Sequence, residues 1–199
     1  MLYVVRHGET DYNVARRICG HAEAQLTEKG YQQAELVAEK IAKQGIQIDR
    51  LLASPLKRAQ ETARKIAERN QLTIETEPRL IEMNFGIYDG EPIETTAFQE
   101  NRSEISLPFP EGESVLDVAG RIYPLIEEAL ASEETYLFVC HNAVMRVIDN
   151  YFNGKKSKIS WTFIVKIHNL YNTENKNQVF NLLVKDLIFF MVNKKPLPF

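Results

Sequence analysis

The chain has little of what holds small secreted or metal-bound folds together. Its 199 residues include only two cysteines, Cys19 and Cys140, which lie far apart and in no metal-ligand spacing. Isolated cysteines suit a reducing compartment and predict neither a disulfide framework nor a zinc site. No His-x-His or His-Glu-x-x-His spacing occurs either. We therefore expect a fold that depends on its apolar core, with no bound metal.

Long apolar runs and a strong charge of one sign are also missing. The longest late apolar run, LIFFMV, is far shorter than the roughly 20 residues that cross a bilayer. A formal net charge of −3 gives no indication of a nucleic-acid partner. A strand pattern that begins at residue 2 leaves no room for a leader peptide before it. We expect a cytoplasmic protein, monomeric or homodimeric, that binds neither nucleic acid nor membrane.

What is present is an ordinary globular composition, 44% hydrophobic and 26% charged, in which short apolar runs alternate with helical patterns. LYVV, RLLAS and TYLFVC each precede a helical pattern, and LTIET is a further strand candidate. One amphipathic helix is predicted to stop at Gly45, and another to cover residues 114–131 with a kink at Pro124. The pattern predicts one α/β domain over residues 1–199. It would have three layers, a mostly parallel sheet with helices on both faces.

Two segments depart from this order. Residues 79–113 are rich in Pro, Gly, Glu and Phe and predict a long excursion over the sheet, of the kind that usually carries function. The segment from about residue 170 is rich in Lys, Asn and Phe and is atypical of the rest of the chain. WTFIVKIHNLY, at residues 161–171, is the expected late strand.

Polar side chains directly follow three of the predicted strands. The carboxyl ends of parallel strands face one crevice, so these side chains should converge. They are Arg6, His7, Gly8 and Asn13 after the first strand, Ser54, Pro55 and Arg58 after the second, and Cys140, His141 and Asn142 after the last. The forked N–H donors of arginine and the amides at helix N-termini bind tetrahedral oxyanions, so the sequence predicts a phosphate site at this edge.

Two histidines in such a site predict a division of labour. A neutral imidazole attacks phosphorus and forms a phosphohistidine. A second, protonated imidazole stabilises charge on the equatorial oxygens of the transferring group. The leaving alkoxide then needs a proton, and Glu82 on the excursion is the candidate to hang over the crevice and supply it.

These motifs together resemble the histidine phosphatase superfamily, in its phosphoglycerate-mutase-like branch. RHGETDYN, Gly20 and QLTEKGYQQA follow the family order, and SPLKRAQETA matches its Ser-Pro-x-x-Arg-Ala-x-x-Thr-Ala motif throughout. EMNFGIYDG fits the acidic motif, with Asp89 where the family has glutamate, and FPEGES and FVCHNAVMR resemble the last two motifs. Five motifs in order over roughly residues 1–152 make the resemblance specific.

The resemblance implies a role for each matching residue. His7 would be the phosphorylated nucleophile and Glu82 the proton donor, with no metal or organic cofactor. The phosphoryl oxygens would be held by the remaining motif residues, namely Arg6, Arg58 and His141, with Asn13 at the pocket edge. Asn142 stands where family members have glycine, so its side chain either crowds the phosphate or adds a donor to it.

The resemblance leaves open whether water or a second substrate accepts the phosphoryl group. Mutases of this family carry extra cations between the acid and the second histidine, whereas only Arg102 and Arg121 lie between Glu82 and His141. Holding a phosphorylated acid needs more positive charge than that. We therefore predict a hydrolase for small organic phosphomonoesters. Mutase-type phosphoryl transfer and a non-catalytic phosphate-binding relative are the alternatives.

A different chemistry also fits part of the chain. CHNAVMR has the Cys-x5-Arg spacing of cysteine-dependent phosphatases, in which Cys140 would be the nucleophile. It lacks the glycines of such a loop and leaves Arg6 and His7 without a role. Four further polar residues are interpreted as structural or solvated: Arg16, Arg17, His21 and His168.

Overall fold

The computed structural model describes residues 1–153, 180–184 and 187–192, and within them one six-stranded sheet has the order β3-β2-β4-β1-β6-β5. The strands are β1 (Leu2–Arg6), β2 (Arg50–Ala53), β3 (Ile74–Thr76), β4 (Tyr136–Cys140), β5 (Phe180–Val184) and β6 (Leu187–Val192). The helices are α1 (Asp11–Val14), α2 (Glu28–Lys43), α3 (Lys57–Asn70), α4 (Thr96–Asn101), α5 (Val115–Ala131) and α6 (Asn142–Asn153).

Strands β1 to β4 are parallel and end at one edge of the sheet. β1 and β4 pair in register up to Arg6 opposite Cys140, and β2 and β4 pair up to Ala53 opposite Val139. β6 and β5 add two antiparallel strands beside β1. The predicted α/β class with a mostly parallel sheet is confirmed, and the register brings the carboxyl ends of β1, β2 and β4 together.

Each central strand divides its apolar side chains between two cores, because successive residues point to opposite faces. Val4 and Phe138 pack with α5 and α6, whereas Val5 and Val139 pack with α2 and α3. All four side chains are fully buried. Helices therefore cover both faces of the sheet, as predicted.

The excursion over residues 79–113 is mostly exposed or half-buried, but three of its aromatic side chains belong to the core. Phe85, Phe98 and Phe109 are buried together, with the Phe85 ring centroid 5.5 Å from that of Phe98 and 5.2 Å from that of Phe109. Edge-to-face aromatic pairs of this kind stabilise a core beyond their buried area. These three side chains therefore anchor the excursion to the core.

Several local predictions can be compared with the structure. α2 ends two residues before Gly45, whose φ of +63° is the left-handed conformation that glycine adopts readily. Three of the apolar residues that make this helix pattern amphipathic are Leu36, Val37 and Ile41; Leu36 is exposed and the other two are buried. α5 continues through Pro124. The expected strand at 161–171 lies outside the described residues, and the single-domain extent stays a prediction.

Candidate active site

The loop that follows β1 touches the start of α2 backbone to backbone. A Cβ on Gly8 would lie 2.3 Å from the carbonyl oxygen of Gly30, and a Cβ on Gly30 would lie 2.1 Å from that of Glu9. The Gly8 N–H also donates to Thr62 Oγ1 at 3.1 Å. Two glycines are thus required by close approach, and this contact fixes the loop that carries His7.

The structure brings the two predicted histidines together. The ring centroids of His7 and His141 are 5.1 Å apart, with the rings tilted by 55°. His7 is 6% exposed and His141 is fully buried. Two histidines that are more than 130 positions apart in sequence therefore lie side by side, as the strand-end pattern predicts.

His7 is held in one orientation by its own backbone neighbour. Its Nδ1 lies 2.7 Å from the carbonyl oxygen of Gly8, which only accepts, so Nδ1 carries the proton and Nε2 carries the lone pair. Burial, followed by the charges of Arg6 and Arg58, holds the pKa of His7 well below its usual range. The ring is therefore a neutral imidazole with its lone pair on Nε2.

His141 shares this neutral state. Burial, followed by Arg58, His7 and Arg6, holds the pKa of His141 well below its ordinary value, so the free site contains a neutral ring. The protonated second imidazole is predicted for the site with a phosphoryl group bound, and it stays a prediction. His141 Nε2 lies 2.7 Å from Ser54 Oγ, which follows β2.

Arg58 is fully buried at the start of α3. Its Nη1 donates to the Ala22 carbonyl at 3.1 Å and its Nη2 to the Gly20 carbonyl at 2.7 Å. Its charge lowers the pKa values of both histidines, so it lies within electrostatic reach of both. A buried cation beside two neutral imidazoles has the charge that an anionic ligand requires.

Glu82 is buried at the N-terminus of α6, and this corrects the expectation that it hangs over the crevice. Its Oε1 accepts from the amides of Met83 at 3.0 Å and Val144 at 3.3 Å, and its Oε2 from that of Ala143 at 3.2 Å. α6 begins directly after His141, so the carboxylate lies close to the histidine pair in the fold.

The backbone of Glu82 is also fixed. Its carbonyl oxygen accepts from Arg121 Nη2 at 3.2 Å and lies 2.8 Å from His21 Nε2. Arg121 in turn is paired with Glu113, with Nε 3.1 Å from Oε1. His21 and Arg121 thus contact the candidate proton donor, a role that their isolated positions in the sequence did not indicate.

An open cavity of about 370 Å³ adjoins His7 and Arg6. Asn13 lines it, in agreement with its expected place at the pocket edge, although its side chain also caps α1 in a reciprocal pair with Thr10. The other lining residues are Glu9, Arg16, Arg17, Lys29, Gln33 and Ile93. Arg58, Glu82, His141 and Asn142 are not among them.

Arg16 and Arg17 were expected to form a solvated face, and they are exposed, but they also line this cavity. Arg16 pairs with Glu94, Arg17 donates to the Gly90 carbonyl at 2.9 Å, and Lys29 pairs with Glu9 at 2.9 Å. Counting cations only between Glu82 and His141 missed these three. Arg16 and Arg17 lie in the loop between α1 and α2, which has no sequence period to reveal its path, and Lys29 lies at the start of α2.

Asn142 is the first residue of α6, and its expected contact with phosphate stays a prediction. The competing nucleophile is disfavoured, because Cys140 is fully buried and burial, with the nearby Glu82 carboxylate, raises the pKa of its thiol. Across the described ranges, no group of three His, Cys, Asp or Glu side chains is placed to hold a metal ion. No helix in the described part of the chain has the length and apolar character to cross a membrane.

Comparison with known proteins identifies the family. The profile of the histidine phosphatase superfamily (branch 1) matches residues 2–185. The chain belongs to this superfamily. The match extends past residue 152, where the motif resemblance stops, and so includes part of the segment that is atypical in composition.

Curated relatives of this chain carry a mutase name. A probable phosphoglycerate mutase GpmB of Yersinia pestis is 38% identical over 136 residues, which are 65% of this chain and 62% of that protein. A protein of the same name from Yersinia pseudotuberculosis gives the same values. The chain thus spans less than two thirds of the length of these relatives.

Solved structures with the same fold include two named phosphatases. A mycobacterial glucosyl-3-phosphoglycerate phosphatase with VO3 is 32% identical, with a TM-score of 0.68 over 75% of this chain and 79% of that one. A putative alpha-ribazole-5'-P phosphatase from Escherichia coli is 27% identical, with a TM-score of 0.68 over 77% and 79%. These similarities confirm the family resemblance and the fold.

Proposed function

We propose that this chain is a phosphomonoester hydrolase that acts on small organic phosphates through a phosphohistidine at His7. The observation that carries the proposal is the 2.7 Å contact from His7 Nδ1 to the Gly8 carbonyl, which leaves Nε2 unprotonated. Arg6 and Arg58 supply the positive charge that an anionic substrate needs beside that nitrogen. The phosphatase names of the structural neighbours support the same reaction.

The reaction would have two steps. His7 Nε2 forms a bond to phosphorus while the bond from phosphorus to the ester oxygen breaks, and Glu82 gives a proton to the departing alkoxide. Water then attacks the phosphohistidine, gives a proton back to Glu82, and releases inorganic phosphate and the free His7. His141 and the arginines would stabilise the charge on the equatorial oxygens in both steps. These groups supply the charge without a metal or an organic cofactor.

A mutase-type transfer is the second candidate, and the cavity lining favours it more than the sequence did. Arg16, Arg17 and Lys29 bring three cations to the cavity beside His7, where an acidic substrate would need them. Two of them are paired with carboxylates, which reduces that charge. The GpmB relatives carry the mutase name. Incubation of an isotopically labelled phosphoenzyme with 3-phosphoglycerate distinguishes a mutase from a hydrolase. A mutase transfers the labelled phosphoryl group to the acid, whereas a hydrolase releases it as inorganic phosphate.

The proposed function is tested with p-nitrophenyl phosphate and with trapping of the phosphoenzyme. We expect turnover and an acid-labile, alkali-stable label, and we expect His7→Ala to remove both. Cys140→Ala is the matched control, and it should retain turnover. Loss of turnover in Cys140→Ala with retention in His7→Ala would assign the chemistry to the thiol. Saturable phosphate binding without turnover by the wild type would favour a binding protein.

A further inference from the structure

Asp89 holds the loop that in turn holds Arg58. The two carboxylate oxygens of Asp89 accept separate backbone bonds, Oδ1 from the Gly20 amide and Oδ2 from the Ala22 amide, each at 2.7 Å. The carbonyls of the same two residues accept from the η nitrogens of Arg58. The Asp89 carboxylate therefore binds the amides of Gly20 and Ala22, and the Arg58 guanidinium binds the carbonyls of the same two residues.

Close contacts restrict the loop that contains Gly20 and Ala22, so a change in the position of Asp89 would change the position of these two residues. A Cβ on Gly20 would lie 2.8 Å from the carbonyl oxygen of Met83, so this residue packs directly on the excursion. The Gly90 amide donates to the Ile18 carbonyl at 2.9 Å, which ties the residue after Asp89 to the same loop. A displacement of Asp89 would thus move the carbonyls at 20 and 22.

Arg58 depends on those carbonyls for its orientation. It is 1% exposed, and its two terminal nitrogens have the loop carbonyls as their hydrogen-bond acceptors in the described part of the chain. Guanidinium groups bind phosphoryl oxygens through a fixed planar fork, and an error of about 1 Å in such a site costs on the order of 100-fold in rate. The orientation of the fork therefore matters to the site.

We propose that Asp89 is a positioning residue that orients the Arg58 guanidinium toward the phosphoryl group through the backbone of Gly20 and Ala22. This inference rests on the proposed function, in which Arg58 binds the phosphoryl oxygens. Asp89 itself stays outside the phosphate site. Its two charge-assisted bonds, made by a residue where the family motif has glutamate, set the place of the cation.

A double-mutant cycle tests the inference. Asp89→Asn puts an amide N–H against a backbone N–H, so we expect kcat/KM for p-nitrophenyl phosphate to fall about 10-fold and the inhibition constants of phosphate and vanadate to rise similarly. Arg58→Ala should cost about 100-fold or more. The double variant should be no worse than Arg58→Ala alone, because the effect of Asp89 passes through the missing guanidinium.

Two companion variants separate positioning from general structural damage. Asp89→Glu keeps both acceptor oxygens and should stay within about threefold of the wild type. Asp49→Asn is the matched control, since Asp49 also accepts a backbone amide, from Thr135 at 2.7 Å, at the opposite end of the strands. It should leave the kinetic constants and the phosphate inhibition constant unchanged.

With an active wild type, the inference would be overturned if the kcat/KM of the double variant fell by the product of the two single losses. It would also be overturned if Asp89→Asn lowered the melting temperature and left the kinetic constants unchanged. Absence of turnover in the wild type would overturn the proposed function instead. The same cycle would then be read from dissociation constants for inorganic phosphate. Equal phosphate affinities of Arg58→Ala and the double variant would support the positioning role, and additive losses would reject it.

Discussion

The floor and the rim of the candidate site are built differently. We call the buried set His7, Arg58 and His141, of which His7 lines the cavity, the floor, and the cavity-lining set Glu9, Arg16, Arg17 and Lys29 the rim. Each floor side chain is buried and makes a hydrogen bond to a residue of an adjoining loop or strand end. The rim cations are exposed, with the Arg16 side chain 71% and the Lys29 side chain 52% accessible.

In the proposed reaction, the buried groups would act on phosphorus and the exposed cations would select the substrate. Buried groups with fixed partners meet the geometric demands of phosphoryl transfer, which tolerates little displacement. Exposed cations with carboxylate partners exchange those partners at small cost in free energy, because the median value of an exposed ion pair is about 0–1 kcal/mol. Substitutions in the floor should therefore affect every substrate, and substitutions in the rim only those with a second anion.

The largest effect is expected beside the floor, at Glu82. Glu82→Gln removes the proton donor and should lower kcat for an alkyl phosphate about 100- to 1000-fold. For p-nitrophenyl phosphate the loss should be about 10-fold or less, since its leaving group departs without a proton. Steady-state kinetics with both esters check this. Equal losses for both would show that Glu82 only supports the structure of the α6 N-terminus.

The next effect concerns the contact that fixes the loop of His7. In Gly30→Ala the new Cβ would lie 2.1 Å from the Glu9 carbonyl, so the loop after β1 must shift. We expect a loss of about 1–3 kcal/mol in the free energy of unfolding, together with lower kcat. Gly120→Ala on α5 is the control, because its Cβ meets nothing within 4 Å. It should be neutral or stabilising in urea titrations.

The floor also predicts how stability depends on pH. His7 and His141 have pKa values below 6.5 in the folded protein, so below that pH the unfolded chain binds more protons. The contribution of the two neutral histidines to the free energy of unfolding is fully present above about pH 6.5. It is lost as the pH falls toward their folded pKa values, by at most about 1.4 kcal/mol per pH unit for each histidine. Urea unfolding at several pH values measures the slope. His7→Asn should make it shallower, and an unchanged slope would contradict the assignment.

The smallest effect is expected at the rim. Arg16→Ala and Lys29→Ala should change kcat/KM for p-nitrophenyl phosphate by no more than about threefold. For 3-phosphoglycerate, which adds a carboxylate, KM should rise by more than this. If kcat/KM fell by the same factor for both esters, the rim cations would not bind the carboxylate of 3-phosphoglycerate.

The strand ends show how far the sequence alone leads. β1, β2 and β4 are buried runs with helices after them, so the meeting of His7 and His141 follows from the rule for parallel sheets. The burial of Glu82 against α6 does not follow, because it depends on how the excursion folds. Neither does the neutral state of His141, which reflects its complete burial beside Arg58.

Other residues escaped prediction for reasons of the same kind. Arg16 has a φ of 54°, so a left-handed residue turns the chain just where the rim begins. No period or motif signals such a turn in a non-glycine residue. Asp89 was noted only as a departure from the family motif, and its bonds to Gly20 and Ala22 link segments about 70 residues apart.

The antiparallel pairing of β6 with β1 has a consequence for any shortened form of the chain. β1, which ends in Arg6 and precedes His7, has hydrogen-bonded neighbours on both sides, β4 and β6. A chain cut after residue 153 would leave the outer ladder of β1 open to solvent, and an open apolar strand recruits other chains by edge-to-edge pairing. Such a fragment would keep every motif of the catalytic family and yet tend to aggregate.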